Sequence, residues 1–431
     1  MAEKNPQTRQ PIKARNFYSS SSSNSTKSQN SNKPFTNSKF SHTNPNSSMN
    51  SFSRKATTSN WENDDHDVVK NDDHDVVKDD GGLQGFPTLV GTCPFMCPEE
   101  EMARREKLRD LAIFERLHGN PSKSSANLAV KKFCRTITTR DLKASDVRPV
   151  SVLEDTLNYL LNLLSSSECP FEVIHDFIFD RTRCIRQDLS MQNAMGDQVI
   201  HMYERMIKFH IISHHHLHRI CGNPNISSMS HLNMEQLMKT LTTLFNLYEA
   251  NRASQSICRN EAEFHSFYVL LHLGLNNHDS ESLSLWFLHV PALIIKSKEM
   301  CFARRILRCY RMGNYKRFIS TVEEEASNLQ YCIVEPYVNE VRILALSCIS
   351  YGGYKLQPYA LSHLAKLLMM KESDVESLCL QCGLEISTSG TEKGLSCTKP
   401  SVTHKPARGF EKYYPMNSER IERLFGELSA L

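Results

Sequence analysis

Successive antiparallel helix pairs, an all-α body, are the fold class that this sequence predicts, and three observations predict it. From about residue 98 apolar residues recur at spacings of three and four, the period of a helix with one buried face. Caps and breakers punctuate the pattern at Pro149, Pro170, Gly222-Asn223-Pro224 and Asn276-Asn277. No alternation of strand and helix occurs before about residue 330, which excludes a parallel sheet. Helical hairpins of unequal length, repeated along the chain, are what remains.

The elements follow in order. Of the 431 residues, the first 80 carry most of the polarity: residues 1–60 hold nine Lys/Arg and one acid, and residues 61–80 hold two Lys and nine acids. Ser/Asn-rich composition with a serine run at 19–23 cannot offset chain entropy, so residues 1–80 read as a disordered basic tail and an acidic linker. That linker is a perfect tandem octapeptide, NDDHDVVK at 63–70 and 71–78. A helical domain is expected over 81–325. Its stripes are Leu153, Leu157, Leu160, Leu161, Leu164; then Ile174, Phe177, Ile178, Ile185, Leu189; then Leu237, Leu241, Leu244, Leu247; then Phe264, Phe267, Leu270, Leu271. Beyond 325, a helix at 339–350 is broken by Gly352-Gly353, and Leu361, Leu364, Ala365, Leu367 and Leu368 mark a second. A third at 374–382 ends at Gly383 before the strand-like Leu384-Glu385-Ile386, the outline of a winged-helix module over 326–390. A polar linker and a terminal amphipathic helix with Ile421, Leu424, Phe425 and Leu428 fill 391–431.

Several function classes recede on the same reading. Net charge is only +3, and the longest apolar run, 286–295, is half the ~20 residues that span a bilayer. The polar amino terminus has no apolar h-region, so no signal peptide is expected. The 14 cysteines are scattered irregularly and read as small buried hydrophobes in a reducing compartment. There is no P-loop, no G-x-S-x-G and no H-E-x-x-H, so a binding protein without cofactor is favoured over an enzyme. A metal-dependent or nucleic-acid-processing enzyme is the rival.

Metal candidates can be weighed one by one. Cys93 and Cys97 lack a second ligand pair, and Pro94 and Pro98 point instead to a rigid turn into the acidic helix start Glu99-Glu100-Glu101. Cys379 and Cys382, with Cys397 and His404 downstream, fit core packing beside Val375 and Leu378 better than a zinc finger. His210, His214, His215, His216 and His218 are the densest cluster; partly exposed helix histidines are expected, with zinc as the alternative. The octapeptide Asp/His groups read as solvated linker.

Two binding surfaces stand out. Between Lys296 and Phe318 eight cations, including Arg304, Arg305, Arg308, Arg311, Lys316 and Arg317, face one acid, Glu299. Arg304, Arg308 and Arg311 form one helical stripe, and Tyr310, Tyr315 and Phe318 offer stacking, a pattern for weak non-specific RNA binding. The alternative is a solvated helix face. In the winged-helix module the charge is balanced, so protein binding through Leu368, Met369, Met370, Val375 and Leu378 is expected, unless the terminal helix folds back over them. On the helix whose apolar face is Ile174, Phe177, Ile178, Ile185 and Leu189, Asp180 and Arg183 can pair at i, i+3 beside Arg186, as a structural network.

A family comes into view in the ordered set Gly91 to Glu99, Ala129 to Phe133, Val147-Arg148-Pro149, Asp180 to Leu189, Tyr203-Glu204, Phe209-His210, Asn260 to Phe264, Gly313-Asn314-Tyr315 and Tyr337 to Leu344. This set resembles the SAC/GANP domain family, and the chain reads as a short member of it. The resemblance implies a PCI-like helical superhelix capped by a winged helix, acting as a scaffold, with Cys93, Cys97, Arg148, Asp180, Arg183, Arg186, Gln187 and Asp188 as its structural signature. It also implies assembly with a PCI-domain partner and a small acidic proteasome-lid-type subunit, in a nuclear mRNA-export or transcription-coupled complex at or near the nuclear pore. A centrosomal or spindle role is the alternative.

Overall fold

A computed structural model describes residues 89–136, 143–166, 169–220, 224–253, 258–274, 277–353, 357–389, 392–397 and 414–428. The chain divides into the units Met1–Gly81 and Gly82–Leu431, and every described residue belongs to the second. The expected disorder of 1–80, both octapeptides and His404 lie outside the described residues.

The second unit is mostly helical. Its helices are α1 (Glu99–Leu108), α2 (Val150–Ser166), α3 (Phe171–Met191), α4 (Asp197–Arg219), α5 (Pro224–Ala253), α6 (Glu261–Leu271), α7 (Asn277–His289), α8 (Ala292–Ile295), α9 (Lys298–Arg311), α10 (Tyr315–Glu325) and α11 (Asn328–Gly352). Each expected apolar stripe became a buried face: Leu153, Leu157 and Leu160 on α2, Leu237, Leu241 and Leu244 on α5, and Phe264, Phe267 and Leu270 on α6 are all fully buried. Local chemistry sets the ends. Ser297 accepts from Met300 N, Asn314 accepts from Arg317 N, and Ser327 and Gln330 form a capping box. Gly313 turns α9 into α10 at φ +65°, a left-handed conformation that glycine adopts without a Cβ penalty.

Helices α4 and α5 pack as a hairpin, as do α9 and α10, and α6 lies on α9. Helix α11 packs on α4, α6 and α10. It is twice the length expected from 339–350, because the chain stays helical through Pro336 back to the Ser327 cap. The expectation of unbroken helical character after residue 98 needs correction. Between α1 and α2, the described residues hold only three single-turn 3₁₀ segments, Ile113–Glu115, Leu117–Gly119 and Ala144–Asp146. This strap has no apolar period to bury; ion pairs and backbone hydrogen bonds attach it instead, as described below.

After α11 come β1 (Tyr359–Ala360), α12 (Leu361–Leu368), α13 (Glu372–Gln381), β2 (Ile386–Ser389) and β3 (Glu392–Leu395). The strands form one antiparallel sheet in the order β1-β3-β2, with Tyr359 opposite Leu395 and Ile386 also opposite Leu395. Strand β3 falls in what the sequence presents as polar linker, since Glu392-Lys393-Gly394 shows no apolar alternation. Helix α14 (Glu419–Leu428) ends the described chain.

The surface expected to receive a partner is instead interior. Leu368, Val375 and Leu378 are fully buried, Met370 is 2% exposed, and Met369 is half-buried. Tyr414, Met416 and Ile421 from the returning segment are buried in the same core, and Asn417 N donates to Met369 O at 2.9 Å. Apolar side chains in excess of what two short helices can bury were covered by the chain's own carboxyl-terminal segment.

Candidate functional site

Helix α3 is amphipathic in an unusual way: its buried face carries Arg181, Thr182 and Asp188 beside Ile178, Cys184 and Ile185. Buried charges need partners, and the strap supplies them. Asp188 takes Lys131 Nζ at 2.7 Å on one carboxylate oxygen and Arg148 Nε at 2.7 Å on the other. Arg148, wholly buried, also donates to Met96 O at 3.1 Å and to Cys184 Sγ at 3.3 Å. Lys131 reaches Asp146 O at 2.6 Å. Gln192 closes this end, donating to Arg148 O at 2.8 Å and accepting from Gly91 N at 3.0 Å. A Cβ at residue 91 would sit 2.5 Å from Val147 O, so the segment before α1 passes the strap here as glycine or not at all.

A second cluster lies one to two turns earlier. Glu115 is buried and pairs with Arg105 and, at 3.1 Å, with Arg181 Nη2, while its other oxygen accepts Val130 N at 3.0 Å. Burial works against the Glu115 carboxylate, but Arg181 and Arg105 outweigh it and hold its pKa below the ordinary value. Asp180 pairs with Arg181 and accepts Phe133 N at 3.2 Å. The expected Asp180–Arg183 pair is therefore corrected. Arg183 lies with its guanidinium carbon 3.9 Å from the Phe133 ring centroid, a cation–π contact. Arg186 Nη2 donates to Gln236 Oε1 at 2.7 Å, and Gln187 Nε2 donates to Cys134 O at 2.8 Å.

The cysteines weighed as metal ligands are covered rather than poised, whereas Cys134, Cys301 and Cys348 are exposed. Cys93 and Cys97 are each 2% exposed, and burial pushes the Cys97 and Cys184 thiols up to about 12, far from thiolate. Cys379 and Cys382 sit in the core of the α12/α13 module. In the histidine run, the expectation of partial exposure fails for two members. His210 is fully buried, with Nδ1 2.8 Å from Asn233 Oδ1, and Asn233 Nδ2 donates back to His210 O. His215 is buried against Glu335, with Nε2 2.6 Å from Oε2. His216 stacks on Phe171. Burial lowers His210 to about 3 and His214 to about 4, so both are neutral at pH 7. Among the described residues no three His, Cys, Asp or Glu side chains converge on a metal-sized site.

On α9 and α10, Arg304, Arg308, Arg311, Lys316 and Arg317 are exposed. Arg305 is held by Glu325. Tyr310 donates to Glu340 Oε2 at 2.7 Å and Tyr315 is half-buried, whereas Phe318 is core, which removes it as a stacking surface. One residue that sequence reasoning passed over is Arg342. Fully buried on α11, it donates to Leu368 O (3.1 Å), Met369 O (3.0 Å), Tyr414 O (2.7 Å), Pro415 O (3.4 Å) and Asn339 Oδ1 (3.1 Å). It ties the end of α12 and the returning segment to α11. Its only sequence signal is an arginine set between the apolar Val341 and Ile343.

These charged anchors fall inside a stretch with known relatives: a model of the SAC3/GANP family matches residues 96–388. The chain belongs to the SAC3/GANP family. It is 35% identical over 305 residues to SAC3 family protein B of Arabidopsis thaliana, covering 69% of this chain and 18% of that protein. It is 29% identical over 347 residues to SAC3 family protein 1 of Schizosaccharomyces pombe, covering 76% and 33%. Against the Drosophila melanogaster protein xmas it is 27% identical over 315 residues, covering 70% and 15%. The match thus spans a third or less of each of these relatives' length. In the α3 network, ion pairs and carbonyl contacts fix the strap, and the Cys97 and Cys184 thiols beside it are protonated.

Proposed function

We propose that this chain is a non-enzymatic scaffold subunit of a nuclear mRNA-export or transcription-coupled complex, and that it contacts RNA through the cationic face of α9 and α10. The observation that carries the RNA contact is the exposure of Arg304, Arg308, Arg311, Lys316 and Arg317 on two consecutive helices, where Arg305 alone of the six expected cations is held in a described ion pair. Exposed cations in a row attract a phosphate backbone without reading its sequence.

The scaffold reading rests on family membership and on the two-part architecture. We read the helical hairpins up to α11 as a PCI-like superhelix, and β1, α12, α13, β2 and β3 as a winged helix. A PCI-domain protein and a small acidic subunit are the proposed partners. With Leu368, Met370, Val375 and Leu378 buried, we take the partner-facing surface to be the outside of this module, where Leu380 is 62% exposed and β2 is an edge strand.

Fluorescence anisotropy with a labelled single-stranded RNA tests the RNA contact. Replacing Arg304, Arg308 and Arg311 by Glu should abolish binding at low salt, with helicity unchanged. Undiminished binding by the triple variant refutes it.

A further inference from the structure

A pocket of about 310 Å³ opens between α3, α4 and α5, far in sequence from the α9 cations, and its lining is cationic. Arg183 and Arg186 come from α3, Lys239 from α5 and Tyr203 from α4, with Phe133 of the strap forming one wall. The charges facing it can be counted. Lys239 is held by Glu235, one turn earlier on α5, and Asp180, the other acid that acts on Arg183, is already taken by Arg181. Arg135 adds positive charge from the strap. Two guanidinium groups are left without a carboxylate of their own.

Arg186 shows the imbalance most clearly. Its one hydrogen bond among the described residues is to the neutral Gln236, and its Nε is enclosed without a partner. Burial and the neighbouring Arg183 pull its pKa down to about 10. A buried cation without a counter-charge costs stability, and proteins retain such groups where a ligand supplies the charge. Arg183 uses its flat face on Phe133 and makes no hydrogen bond among the described residues, which leaves its N–H edges available. Tyr203, kept protonated by burial, lines the same space as a hydroxyl donor. Paired guanidinium groups with hydroxyl donors around them match a phosphate monoester dianion, since the planar fork bonds two phosphate oxygens at once.

From this arrangement we propose that the α3–α5 pocket binds a small phosphorylated molecule through a terminal phosphate, with Arg183 and Arg186 as its anchors and Lys239 at the rim. A small molecule is favoured over an RNA strand because the cavity is only at the lower end of ordinary ligand-pocket size, whereas a backbone bound along its length needs an open groove. The proposal is independent of the α9 surface, and either can fail alone.

Calorimetric titration of the full chain with pyrophosphate and with inositol hexakisphosphate at low salt is the test. Saturable binding is expected, weakened about tenfold or more by Arg186→Gln, as loss of a charge-assisted hydrogen bond predicts. Lys239→Gln, at an exposed residue whose loss cannot unfold the core, should weaken it about threefold. The triple change Arg304→Glu, Arg308→Glu and Arg311→Glu should leave it unchanged. Retained full affinity in both Arg186→Gln and Lys239→Gln overturns the proposal, as does absence of saturable binding of either probe to the parent. Preferential, Arg186-dependent binding of a short single-stranded RNA or a phosphoserine peptide overturns the small-molecule assignment.

Discussion

Asp188→Asn should be among the most damaging single-atom changes available to this chain. The carboxylate is wholly buried and accepts Lys131 Nζ and Arg148 Nε, each at 2.7 Å, plus Arg148 N at 3.4 Å. An amide keeps the shape but turns one oxygen into a donor facing a cation, and leaves two buried positive groups without a negative one. Breaking a buried pair in this way costs about 3–5 kcal/mol. Unfolding entropy near 2.1 cal/mol/K per residue, over the roughly 300 described residues, converts that cost into a fall of about 5–8 °C in melting temperature. Differential scanning calorimetry of the parent, Asp188→Asn, Lys131→Met and the double variant measures it. The double variant should recover part of the loss, because removing Lys131 removes one of the stranded charges. A melting temperature for Asp188→Asn within 1 °C of the parent would refute the claim that this network holds the strap to α3.

Three further outcomes are expected. Arg342→Met should cost about 3 kcal/mol, since several buried carbonyls lose their donor together, and hydrogen exchange should rise selectively in 414–428; uniform exchange rates would contradict its role as a tie. Deleting 414–431 should uncover Leu368, Met370 and Val375 and produce dye binding or aggregation, and a monomeric, dye-silent truncation would show that the segment is no cover. Acid should act through His210: burial depresses its pKa to about 3, so the unfolded chain binds a proton below about pH 6.5 that the folded chain refuses, and stability falls as pH drops. Between pH 6.5 and 5 this one residue contributes about 2 kcal/mol of loss; His210→Gln should flatten the pH dependence of the melting temperature, and an unchanged slope would disprove the assignment.

The helical body was legible because its stripes are long and regular: Leu153 through Leu164, and Leu237 through Leu247, carry period and identity together. The strap was not, because what fixes it is pairing across 40 to 66 residues, such as Arg148 with Asp188 and Glu115 with Arg181. No local period encodes such a pair. Asp180 illustrates the failure on a smaller scale: helical spacing points to Arg183, but Arg181, which also pairs with Glu115, takes Asp180 as its immediate neighbour. The buried face of α12 and α13 was recognisable as surplus apolar surface, while its occupant was decided by Tyr414, Met416 and Ile421, which lie beyond a polar stretch. Of the basic stripe, five positions were placed on the surface by simple helical geometry, and Arg305 was lost to Glu325 on the next helix.

Native affinity purification of the full chain, followed by quantitative mass spectrometry, tests the scaffold assignment most directly. A PCI-domain protein and a small acidic subunit should be recovered near unit stoichiometry, resistant to nuclease, together with RNA-export components. Recovery of the chain alone, or with centrosomal components in place of that pair, would contradict the account.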